Sequence, residues 1–91
     1  MDPVTEIEIW SRLVDPQDPN LDPDSARGLL KVQFKDRDRA RVAELAERAN
    51  EGTLTEAERG EYETYVYVAD VLGLLQAKAR AALQRNAAPA A

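Results

Sequence analysis

The chain has 91 residues, of which 12 are basic and 17 acidic, giving a net charge of −5, and it contains neither cysteine nor histidine. A chain of this length forms one domain with a thin margin, because only about 60–65% of its unfolded surface can be buried, and oligomerisation would add to that margin. Without cysteine there are no disulfides and no thiol chemistry, and without histidine the usual general base and the commonest metal ligand are gone.

The charge is uneven along the chain. Seven acids and one arginine give residues 1–24 a charge of −6, whereas residues 25–50 carry +3 and residues 51–91 carry −2. That asymmetry argues against bulk nucleic-acid binding and allows the acidic arm to meet the basic middle or a basic partner. The N-terminus is acidic and no apolar run reaches membrane-spanning length, so the expectation is a cytoplasmic protein without membrane association.

Residues 4–14 (VTEIEIWSRLV) are ambiguous in period. Ile7, Trp10 and Leu13 or Val14 fit one face of a helix, while Ile7 and Ile9 between Glu6 and Glu8 fit a strand; a short helix is the preferred reading. Three prolines make residues 15–24 (DPQDPNLDPD) a stiff acidic connector. Asp18, Asn20 and Asp22 match the start of a calcium loop, but Pro23 stands where its glycine is needed and Leu29 where its glutamate is needed. Asp22 instead reads as an N-cap with Pro23 as the first helical residue, and no metal or cofactor is expected.

A short helix follows from Pro23 to about Val32, with Ala26, Leu29 and Leu30 inward, and Phe34 packs where the chain turns. Asp36 or Asp38 is expected to cap the next helix, which runs to about Asn50 with Val42, Leu45, Ala46 and Ala49 as its apolar stripe. Arg37, Arg41, Glu44 and Arg48 share the opposite face, read as solvated and carrying a Glu44–Arg48 ion pair. The other reading makes Arg37, Arg41 and Arg48 a phosphate-tracking patch within the basic 31–48 segment. Gly52 supplies the left-handed stop, and Leu54 can staple the loop.

Thr55 to about Gln84 forms the longest element, roughly eight turns and about 45 Å at 1.5 Å per residue. Thr55 and Glu58 make a capping box. Glu56, Glu58, Glu61 and Glu63 crowd its start and Lys78, Arg80 and Arg85 its end, the polarity that the helix dipole favours. Tyr65, Val68, Leu72, Leu75, Ala79 and Leu83 form the stripe assigned to the core. A second stripe of Tyr67, Val71, Leu74 and Lys78 means either that the helix is sandwiched or that this face meets another chain. Gly73 in mid-helix would be explained by the close approach of another helix. The result is an all-α fold in which short N-terminal helices pack on a long C-terminal helical hairpin. It is read as a single domain over residues 1–85, with 86–91 a disordered tail.

The run GTLTEAERGEYETYVYVADVLGLLQAKAR, residues 52–80, resembles a family of small, mostly uncharacterised bacterial α-helical proteins. Their signature, G-x-L-T-x-x-E followed by an apolar helix closing on L-L-Q-x-K-A-R, falls here on Gly52, Leu54, Thr55, Glu58, Leu74, Leu75, Gln76, Lys78, Ala79 and Arg80. These are structural motifs, with no catalytic position to carry over. The resemblance implies a small accessory subunit or an antitoxin encoded beside a nuclease-like protein. Members of the family tend to be polar in mid-helix, often with a histidine, where this chain has Tyr65–Val68 and then Asp70.

The functional expectation is therefore a protein–protein interaction module, paired with itself as a homodimer or with an operon partner. Tyr67, Val71, Leu74, Lys78 and Trp10 are its candidate contact residues. In its sharpest form the acidic arm occupies the basic groove of a nuclease. The alternative is nucleic-acid or ribosome association through Lys31, Lys35, Arg37, Arg39, Arg41 and Arg48, with Arg37, Arg41 and Arg48 as the possible contacts. An enzyme is not expected: Glu61 and Asp70 can approach the core, but neither has a second catalytic group.

Overall fold

The computed structural model describes residues 4–87, with side chains described through Arg85. Four helices follow one another: α1 (Glu6–Leu13), α2 (Pro23–Leu30), α3 (Asp36–Glu51) and α4 (Glu56–Ala87). No strand is present among the described residues. The 4–14 segment is thus helical over Glu6–Leu13, and α4 runs on through Asn86 and Ala87, two residues that the sequence assigned to the tail. Residues 88–91 lie outside the described range.

Local chemistry sets most of the boundaries. The Thr5 hydroxyl accepts from the Glu8 N–H at 3.2 Å to start α1, and the Asp22 carboxylate accepts from the Ser25 N–H at 2.7 Å to start α2 behind Pro23. At the end of α3, Gly52 sits in the left-handed region at φ 71° and ψ 27°. Its N–H reaches the Ala49 carbonyl and that of Thr53 the Arg48 carbonyl, the paired bonds of a Schellman stop. The capping box of α4 is reciprocal: Glu58 N–H to Thr55 Oγ1 at 3.1 Å and Thr55 N–H to Glu58 Oε1 at 3.0 Å.

The start of α3 departs from expectation. Its N-cap is Lys35, with no side-chain capping bond, and neither Asp36 nor Asp38 fills that role. Asp36 lies one residue and Asp38 three residues past the cap position, and their carboxylates are taken, Asp36 by Arg39 and Asp38 by the hydroxyl of Tyr65.

The chain divides into two compact units where sequence suggested one domain over 1–85: Gln33–Asp70, and Met1–Val32 with Val71–Ala91. In the first, α3 and the leading half of α4 form an antiparallel hairpin around Leu45, the largest fully buried side chain. Val42, Ala46 and Ala49 flank it half-buried, as their spacing predicted. In the second, Ala26 of α2 is buried with Ala79 and Ala82 of α4, ringed by Leu21, Leu29, Leu30 and Leu83. Alanines at a helix contact let the two backbones come close, so α2 needs few large side chains to seat itself. Gln76 finishes the join, its amide donating to the carbonyls of Val32 at 2.8 Å and Leu29 at 3.3 Å. The Leu29 carbonyl also accepts from the Val32 N–H at 3.2 Å, so the amide adds a tertiary bond to the turn that closes α2.

Candidate functional site

On α3, Arg41 and Arg48 are seven residues apart and so emerge on one side of the helix, with Glu44 between them. Sequence placed all three on a solvated outer face. Instead both arginines turn to α4. Arg41 grips Glu61 with two parallel bonds, Nε to Oε2 at 2.9 Å and Nη2 to Oε1 at 2.7 Å. Arg48 pairs with Glu58, and with Glu44 at 2.6 Å, which is the i,i+4 pair anticipated. Arg41 also lies 3.1 Å from Glu44 and 3.8 Å from Glu58, so the five groups form one network.

The electrostatics follow from those contacts. The hydrogen bond to Glu61 raises the Arg41 guanidinium above its usual value, and the same bond holds the Glu61 carboxyl below the ordinary 4.5. Glu58 is lowered first by the Thr55 N–H, with Arg48 adding to it. Tyr65 donates its hydroxyl to Asp38 Oδ1 at 2.7 Å, and that bond raises its pKa above 10. Each shift runs away from neutral pH: the carboxylates stay ionised, the phenol stays protonated, and both serve as fixed hydrogen-bond partners.

Beside the network, Phe34 meets Tyr65 edge-on, with ring centroids 5.9 Å apart. These two rings, with Asp38, Glu61, Thr64 and Val68, line an open cleft of about 350 Å³. Val68, assigned by its spacing to the core, is 44% exposed there, because α3 does not reach along α4 far enough to cover it. Every residue from Val66 to Asp70 is exposed.

The candidate contact residues are distributed unequally. Tyr67 is 37% exposed, whereas Val71, Leu74, Lys78 and Trp10 are half-buried within their unit. The second stripe is therefore open at its leading end and partly covered further along. Asp70 is exposed. A Cβ built at Gly73 would meet nothing within 4 Å, so the close helix approach expected there is absent. Of the three arginines proposed for nucleic acid, Arg41 and Arg48 are engaged by carboxylates and Arg37 is exposed. Gln76 and Tyr65 were not singled out as polar anchors; a glutamine or tyrosine in an apolar run is the signal that marks them.

Among the described residues no helix is long and apolar enough to cross a membrane, and no group of three acidic residues could hold a metal ion. Comparison with known protein families, curated proteins and solved structures finds no match to the chain.

Proposed function

We propose that the chain is a small protein–protein interaction subunit that docks through the middle of α4. The observation that carries this reading is the run Val66, Tyr67 and Val68, three consecutive large apolar side chains that are 44%, 37% and 44% exposed. Successive helix positions point about 100° apart, so no single neighbour within the hairpin can cover all three. Clustered apolar exposure of this kind is what helix-docking surfaces present.

Association with nucleic acid is the less supported reading. Phosphate contacts need free cations, and the two guanidiniums best placed on α3 each hold carboxylates. The acidic arm, at −6 over residues 1–24, favours a basic protein surface as the partner, and inhibition of a nuclease-type protein is the form of the proposal that uses it.

The test is co-purification from the native host with a tagged chain as bait, alongside a Val66→Asp/Val68→Asp double variant. Both side chains are exposed, so the variant keeps its helix content. A stoichiometric companion, either a second copy or a different protein, is expected with the parent chain and lost with the variant. Equal recovery with both baits would overturn the assignment of the surface.

A further inference from the structure

We infer that the cleft beside Phe34 and Tyr65 is the seat for an arginine side chain of the partner protein. This rests on the interaction reading above and names what that surface recognises. The cleft lies wholly within the 33–70 hairpin and joins two aromatic rings and Val68 to two carboxylates, Asp38 and Glu61. Aromatic faces attract a cation through their negative quadrupole, and carboxylates fix it by charge-assisted hydrogen bonds. Arg37 and Arg41 line a neighbouring hollow and not this one.

The two carboxylates are not neutralised alike. Among the acids of the hairpin, Asp38, Glu58 and Glu61 are half-buried and the others are exposed. Glu58 has Arg48 and Glu61 has Arg41. Asp38 has the neutral hydroxyl of Tyr65 on Oδ1, and no arginine or lysine among the described residues pairs with it. A charge drawn part-way out of water is costly unless an opposite charge meets it. Each carboxylate oxygen carries two lone pairs, so Asp38 can accept further donors without releasing Tyr65.

Size and charge specify what arrives. About 350 Å³ suits one long side chain rather than a whole helix. A guanidinium is planar and weakly hydrated; its fork fits a carboxylate while its plane lies on a ring, and an ammonium does neither. Residues 56–70 carry five acids and one arginine, a net −4, which draws a basic partner to this half of α4. Val68 belongs both to the cleft and to the exposed Val66–Val68 run, so a protein lying on that run has the cleft within reach.

The experiment titrates acetyl-arginine amide into the ¹⁵N-labelled full chain, to about 50 mM, because a lone anchor binds in the millimolar range. Saturable amide shifts are expected at Phe34, Asp38, Thr64, Tyr65 and Val68. Acetyl-citrulline amide has a similar shape without the charge and should bind about fivefold more weakly or worse. Asp38→Asn keeps an oxygen for the Tyr65 hydroxyl but removes the charge, and should weaken arginine binding by a similar factor. Phe34→Leu should weaken it from the aromatic side, and it decides the matter with citrulline if Asp38→Asn loses its helix content by circular dichroism. The site is overturned if no saturable shift appears, if citrulline matches arginine, or if folded variants bind as the parent does. Shifts spread over Glu56, Glu63 and α1 would mean charge attraction without a site and overturn it equally. Tetramethylammonium binding the cleft more tightly than the arginine amide would make the occupant a free organic cation and overturn the assignment to a protein side chain. The co-purification separates this from the interaction reading. As bait, Asp38→Asn should recover less companion than the parent. Full recovery with Asp38→Asn, alongside loss with Val66→Asp/Val68→Asp, would overturn the arginine seat and leave the docking surface standing.

Discussion

Along α4, residues before Asp70 meet α3 through carboxylates and guanidiniums, whereas residues after Val71 meet α2 through alanines and one amide. The first contact is long-range in force but depends on pH and salt; the second is short-range and depends on shape. Arg41 with Glu61 tolerates small shifts of backbone, because long side chains follow them. Ala26 against Ala79 and Ala82 tolerates less, because the alanines themselves have no long side chain to adjust. One continuous helix thus serves two neighbours that would fail under different conditions.

The comparison breaks most sharply at Leu45. It is fully buried, so Leu45→Ala should remove about 2–5 kcal/mol, a large part of the stability of a small domain. Denaturant melts measure the loss, and amide exchange should place it first in the 33–70 hairpin. A smaller effect is expected in the other unit from Ala79→Leu, where overpacking costs about 1–3 kcal/mol. Exchange should then rise in α2 while α3 stays protected. If either variant opens both units equally, the two contacts are not separable.

Acid should separate them without mutation. Glu58 and Glu61 titrate below their ordinary 4.5 in the folded chain. Their contribution is fully present above that value and is lost as pH falls through the lowered folded-state values. Between pH 5 and pH 2 the α3–α4 hairpin should lose exchange protection before the Ala26–Ala79–Ala82 contact does. In the other unit the comparable group is Asp22, whose carboxyl the Ser25 N–H lowers from 3.8; it holds only the first turn of α2. The smallest effect sharpens the comparison from the opposite side. Gly73 is exposed in mid-helix with open space around its Cβ position. Gly73→Ala should stabilise the chain by about 0.5–1 kcal/mol, seen as a rise in Tm.

What could be read in advance was whatever a few neighbouring residues decide. The capping box at Thr55 and Glu58, the Asp22 cap, the Gly52 stop and the Glu44–Arg48 pair are all settled within five residues. So was the all-α class, since each apolar stripe repeats at helical spacing. What failed depended on where one helix lies along another. Val68 is in phase with Leu72 and Leu75, yet 44% of it stays exposed. Arg41 and Arg48 looked solvated because the acids that hold them are 20 and 10 residues further along. The candidate site was legible only as a stripe, since periodicity reports that a face is apolar but not which part of it is covered.

Gln76 also bears on the order in which the chain can be made. Its amide closes α2 across 47 residues of sequence from Leu29, whereas the α3–α4 hairpin closes over residues adjacent in the chain. On a ribosome adding 5–20 residues per second, α2 therefore emerges roughly 2–9 s before the helix that completes it. The hairpin has local contacts and can form in that interval; the first 32 residues must wait. Ile9 and Leu13 of the same arm are exposed even in the finished fold. The surplus of carboxylates around them then has a use during synthesis, as like charge that keeps one nascent arm from collecting another.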